Sequence, residues 1–141
     1  MEYQSYSVKD TKQIASSFAA QLCSGDVICL YGDLGAGKTA FVQGLADGLN
    51  ISDYITSPTF TIVNEHKGDI TLYHFDVYRI DDEDEMYEIG FDEYINGDGI
   101  CVIEWCGKIA GLLPEKRYEI SIFKDYEQSD DYRLIKIEKR G

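Results

Sequence analysis

Eight consecutive residues, Gly32-Asp-Leu-Gly-Ala-Gly-Lys38-Thr39, satisfy the pattern G-x-x-x-x-G-K-[ST] in full. Without side chains at Gly32, Gly35 and Gly37, backbone N–H groups can converge on phosphate oxygens at the positive end of a following helix. Lys38 adds a mobile cation for β- and γ-phosphates, and the Thr39 hydroxyl is placed to ligate Mg²⁺. The candidate nucleotide-binding set is Gly32, Asp33, Leu34, Gly35, Ala36, Gly37, Lys38, Thr39 and Ala40. A solvated surface lysine is a poor account of Lys38 inside such a loop.

Phosphoryl chemistry on such a loop calls for a carboxylate at the end of a neighbouring buried strand. Two acids qualify, Asp76 in HFDVYR and Glu104 at the end of ICVIE. Each also has a plain structural reading: Asp76 as a turn cap or the partner of Arg79, Glu104 as an exposed strand-end acid. In Ser57-Pro58-Thr59 a loop hydroxyl is placed to sense a γ-phosphate or metal, although Pro58 can equally be there to shape a turn. Trp105, the single tryptophan, follows Glu104 and either borders the nucleotide or packs in the core. His66 and His74 are too few for a histidine-based metal site.

The elements that must position these groups are legible from hydrophobic pattern. Val27 to Tyr31 is a continuous apolar run, as in a strand covered on both faces, and Lys38 to Leu49 reads as a helix. Before them, Met1 to Val8 fits a short strand. Asp10 as N-cap, the spacing of Ile14, Phe18, Ala19 and Leu22, and Gly25 as a stop then predict a helix. Thr59 to Arg79 reads as an antiparallel hairpin turning at Lys67 and Gly68, and Asp81 to Ile89 as an acidic helix. Gly99 to Trp105 is a second buried parallel strand. Tyr118 to Phe123 and Tyr132 to Ile137 alternate as a second hairpin. The expected fold is a three-layer α/β domain, P-loop NTPase-like, with a mixed parallel and antiparallel sheet over residues 1–141 as one domain.

Twenty-six acidic against thirteen basic residues give a net charge of −13, which repels a phosphate backbone and an anionic membrane surface. Direct nonspecific nucleic-acid binding, to DNA included, is disfavoured. No apolar run approaches the roughly 20 residues of a membrane span, and Met1 to Tyr6 lacks the basic and apolar regions of a signal peptide, so a cytoplasmic location is expected. Cys23, Cys29, Cys101 and Cys106 form no CxxC pair, and free thiols are expected, two of them in strand cores. A Cys101–Cys106 redox pair is the competing reading.

Taken together, GDLGAGKT, SPTFTIV, YHFDVYRI, GFDEY at Gly90 to Tyr94, and CVIEW resemble the TsaE family, in a match spanning residues 1 to about 123. The resemblance implies a P-loop domain with an unusual sheet that binds ATP and Mg²⁺ and hydrolyses ATP weakly. It further implies action through partners. In the family, TsaD and TsaB proteins perform and scaffold transfer of a threonylcarbamoyl group to the adenosine at position 37 of ANN-decoding tRNAs, and the ATPase supports repeated turnover. Contact with tRNA is then only indirect. Carried over residue by residue, Gly35 to Lys38 hold the phosphates, Thr39 and Glu104 the magnesium, and Asp76 is the Walker-B-like aspartate. Thr59 resembles a switch threonine, Trp105 the tryptophan beside the nucleotide, and Thr11 a nucleotide contact. The C-terminal hairpin carries no distinguishing motif. A small-molecule kinase and a non-hydrolysing nucleotide switch are the competing functions, the first weakened because the four arginines (Arg79, Arg117, Arg133, Arg140) are scattered rather than gathered in a lid.

Overall fold

A computed structural model describes residues 1–33, 35–58, 61–125 and 127–141. Among these described residues seven strands form one sheet: β1 (Glu2–Ser5), β2 (Val27–Tyr31), β3 (Val63–His66), β4 (Leu72–Asp76), β5 (Ile100–Glu104), β6 (Arg117–Lys124) and β7 (Arg133–Arg140), ordered β1-β7-β6-β2-β5-β4-β3. The two continuous apolar runs lie side by side at its centre. β2 pairs in parallel with both β5 and β6, β4 is parallel to β5, and the antiparallel pairs β1/β7, β6/β7 and β3/β4 complete each side. Every residue of β5 is buried, as are the first four of β2, which follows from helices covering both faces.

Strand alternation divides the core in two. Ile28, Leu30, Ile100 and Val102 face the layer of α1 (Val8–Ala19) and α2 (Lys38–Gly48), where they meet Phe18, Phe41 and Leu45. Val27, Cys29, Cys101 and Ile103 face the other side, against Met86 of α3 (Asp84–Glu88), Phe91 of α4 (Phe91–Ile95) and Ile109 of the 3₁₀ segment Cys106–Leu112. Phe75 anchors that second core through edge-on contacts with Phe91 and Tyr94. This is the expected three-layer mixed α/β arrangement. Among the described residues no helix is long and apolar enough to cross a membrane.

Three local expectations need correction. Ser7, not Asp10, caps α1: its hydroxyl accepts from the Asp10 N–H at 3.0 Å, and the Asp10 carboxylate returns to the Tyr6 N–H at 3.0 Å. The arrangement is related to a capping box, with the acid three residues inside the helix, but that acid accepts from the residue before the cap instead of from the cap itself. The same helix ends at Ala19 rather than running to Gly25; Gln21 and Leu22 then close three-residue turns onto Phe18 and Ala19. The acidic helix is shorter than expected, because Asp81 and Asp82 are used ahead of it, their N–H groups donating to the Glu85 carboxylate at 2.8 and 3.1 Å.

All four cysteines are free, with Cys29 and Cys101 buried in strands and Cys106 buried just beyond β5. Cys101 and Cys106 are not bridged: the Cys106 thiol donates to the Ile103 carbonyl at 3.1 Å and the Cys101 thiol to the Tyr94 carbonyl at 3.5 Å. Burial pushes the Cys101 thiol up to about 12, so it stays protonated.

Candidate nucleotide site

The site is assembled where the central strands end. β2 delivers the chain into the glycine loop, Ala36 closes a turn by donating to the Asp33 carbonyl at 2.9 Å, and α2 begins at Lys38. Gly35 and Gly37 hold φ of +76° and +104°, the left-handed region that only glycine enters without strain. At Gly32 an added Cβ would stand 3.1 Å from the Ile122 carbonyl. Leu34 and Thr59, both expected at the site, lie outside the described residues.

Glu104 is the hub of the charged groups. It is 3% exposed, which overturns the plain reading of an exposed strand-end acid. One carboxylate oxygen stands 3.7 Å from the Lys38 ammonium, and the other is 2.6 Å from His74 Nε2. His74 is fully buried, with Nδ1 lacking a partner among the described residues. The parallel register places Asp76 directly beside Glu104, and alternation puts Asp76 on the same face as His74. Asp76 also does what the turn-cap reading asked, accepting from the Tyr78 N–H at 3.0 Å. Burial raises its carboxyl above the usual range and the Glu104 charge adds to that, while the Tyr78 N–H and Lys38 oppose it.

Lys38 Nζ also lies 4.3 Å from the centre of the Trp105 ring, whose other neighbour is Tyr78 at 4.9 Å. Trp105 holds φ of +67° where β5 ends, a conformation costing a non-glycine residue about 1–3 kcal/mol. The Thr39 and Ser57 hydroxyls are 3.1 Å apart on the remaining side. Lys38, Thr39, Ser57, Asp76, Glu104 and Trp105 thus line one hollow of about 580 Å³. A second, of about 390 Å³, opens across the loop beside Tyr31, Asp33, Phe123 and Lys124 and shares Lys38 and Trp105. Ala40 is half-buried in the first turn of α2. Thr11 lines neither hollow; it is 2% exposed in α1, its hydroxyl 2.7 Å from that of Ser5.

Two contributions are not legible from sequence. Strand alternation in HFDVYR already puts His74, Asp76 and Tyr78 on one face, but the contact of His74 with Glu104 crosses to a neighbouring strand and has no local signal. Arg133 carried no local signal. From β7 it donates through Nε to the Ala36 carbonyl at 2.8 Å, bringing the otherwise featureless hairpin onto the loop.

The donor set suits a nucleotide and a hard cation: glycine amides, one ammonium, a hydroxyl and two carboxylates. No group of three or more His, Cys, Asp or Glu side chains is arranged to hold a metal ion by itself among the described residues. Mg²⁺ needs only one or two protein oxygens, because phosphates and waters complete its shell.

Residues 5–134 match the family described as "Threonylcarbamoyl adenosine biosynthesis protein TsaE". The "tRNA threonylcarbamoyladenosine biosynthesis protein TsaE" of Bacillus subtilis is 46% identical over 136 residues, 96% of this chain and 83% of that protein. The protein of the same name from Treponema pallidum is 46% identical over 84% of this chain and 87% of its own length. The crystal structure of YdiB from Bacillus subtilis superposes with a TM-score of 0.85 at 39% identity, covering all of this chain and 86% of that one. The similarity runs through the sheet centre, the glycine loop and β6 into the start of β7, and the chain belongs to the TsaE family.

Proposed function

We propose that the chain is a Mg²⁺-dependent ATPase of low intrinsic activity that serves threonylcarbamoyladenosine formation on tRNA by acting through a TsaB–TsaD complex. The observation that carries the reading is the convergence of Lys38, Glu104 and Asp76 beside the glycine loop, in a chain whose relatives bear names of that biosynthesis. Mg²⁺, when bound, would neutralise charge on the phosphate oxygens. Thr39 is the protein ligand at the helix start, with Glu104 and Asp76 as acids that hold the cation directly or through water.

The chain's own groups divide the remaining work. The glycine-loop amides and the α2 N-terminus bind phosphate oxygens, and Lys38 supplies the fixed positive charge. His74 fixes the rotamer of Glu104 through the 2.6 Å contact. The ionised carboxylate of Asp76 is suited to orient a water for attack, and the half-buried Trp105 limits bulk water at Lys38. Net −13 supports action through proteins rather than on tRNA directly, since a chain this acidic repels a phosphate backbone.

The test is Mg²⁺-dependent ATP hydrolysis by the purified chain, alone and with its cognate TsaB and TsaD proteins. Slow turnover that rises on adding the pair is expected. Turnover indifferent to both proteins, with no association by sedimentation in any nucleotide state, would refute the partner role.

A further inference from the structure

Arg133 stands opposite Lys124 in the β6/β7 register, and both reach the glycine loop. A Cβ built on Gly35 would lie 3.4 Å from Lys124 Nζ. The Arg133 guanidinium spends its donors on carbonyls: Nε on Ala36 at 2.8 Å, Nη2 on Gly35 at 3.5 Å, and Nη1 on Asp130 at 2.6 Å and Tyr132 at 2.7 Å. No carboxylate within 4.0 Å pairs with it among the described residues, in a chain with twice as many acids as bases. Like charges placed directly opposite on neighbouring strands are unfavourable, so this pair is expensive without an anion nearby.

An anion cradle has to turn its carbonyls away from the anion. Every described peptide bond is trans, so a carbonyl and the N–H of the same peptide point in opposite directions. Tying the Ala36 carbonyl toward β7 therefore turns the Gly37 N–H away from β7. Glycines alone leave that peptide free to rotate, and a free peptide loses entropy on every binding event.

We propose that Arg133 is a positioning residue of the phosphate loop, holding the Ala36–Gly37 peptide in the orientation that presents its N–H to a bound diphosphate. The role rests on the nucleotide reading above. It makes the C-terminal hairpin part of the nucleotide site, by joining the Asp130–Tyr132 turn to the loop through one guanidinium.

The experiment titrates ADP, and inorganic pyrophosphate separately, against the fluorescence of Trp105 in the full chain. The wild type is compared with Arg133→Gln and Arg133→Lys, and Arg140→Ala serves as a control for loss of a cation from the same strand. Both Arg133 variants are expected to bind ADP about tenfold more weakly, the scale of one charge-assisted hydrogen bond. The factor should be the same for pyrophosphate, because the loss is at the phosphates, while Arg140→Ala stays at wild-type affinity. Full affinity in Arg133→Lys would mean that charge alone matters and would overturn positioning. A loss for ADP but not pyrophosphate would move Arg133 to the nucleoside side and overturn it too. Unchanged affinity in both variants refutes this proposal alone, whereas a wild type that binds neither ligand refutes the nucleotide reading beneath it. Melting temperatures without nucleotide establish that each variant is folded.

Discussion

Lys38 and Glu104 face each other at 3.7 Å, both under a tenth exposed, one from the first turn of α2 and the other from the end of β5. In the proposed nucleotide site the pair joins the half assigned to phosphate and the half assigned to the cation. On that proposal, phosphate oxygens would compete with Glu104 for one ammonium. Binding that draws Lys38 toward phosphate also draws it from the Trp105 ring, 4.3 Å away, so the single tryptophan reports on the exchange.

Lys38→Ala is expected to abolish ADP binding in a Trp105 fluorescence titration. The same change leaves Glu104 buried with His74 as its remaining partner, and a loss of about 1–3 kcal/mol in urea unfolding is expected. Wild-type affinity in this variant would contradict the phosphate role.

Glu104→Gln keeps a side chain of the same shape against His74 but removes the charge. ADP affinity should stay within a few fold, while Mg²⁺-dependent hydrolysis falls by about a hundredfold or more, as when a group stabilising transition-state charge is removed. Steady-state kinetics at saturating Mg²⁺ checks this, and equal kcat would exclude Glu104 from the chemistry.

Asp76 carries a cost in stability that pH reveals. Because burial raises its folded-state pKa above the unfolded value, ionisation disfavours folding. The penalty is complete above the folded pKa and is gone once the pH falls below the unfolded one. Asp76→Asn should therefore melt at or above the wild-type temperature at neutral pH without Mg²⁺, with the difference closing as the pH drops through the carboxylate range. Hydrolysis by the same variant should be at background. A variant less stable at neutral pH would show that the ionised carboxylate supports the fold.

Gly44 lets α2 approach α1. An added Cβ would collide with the Lys12 carbonyl and stand 2.7 Å from the Ala15 Cβ, and backbone atoms cannot yield as a flexible side chain would. The gain in helix propensity from alanine, about 1 kcal/mol, is outweighed by overpacking. Gly44→Ala should lose about 1–3 kcal/mol by denaturant unfolding, and, since α2 carries Lys38, should weaken ADP binding as well.

The sequence alone determined whatever depends on short spacing. VICLY before GDLGAGKT placed a strand, an anion loop and a helix in order, because continuous apolar character, glycine and helical periodicity act over a few residues. ICVIE named Glu104 by the same logic, and the hairpins around Lys67 and Gly68 and after Phe123 were legible from alternation. The cap of α1 was misread by three residues, since Ser7 and Asp10 both carry oxygens suited to an N-terminus and only backbone geometry tells the N-cap from the residue three places inside. Tertiary structure decided which distant groups meet. Parallel pairing of β4 and β5 set Asp76 beside Glu104 and gave Glu104 its contact with His74 thirty residues away. Arg133 reached the loop across 97 residues only because β7 pairs with β6 and β6 with β2. Strand order is set by the burial of whole faces, a property of the assembled sheet that no local stretch of sequence contains.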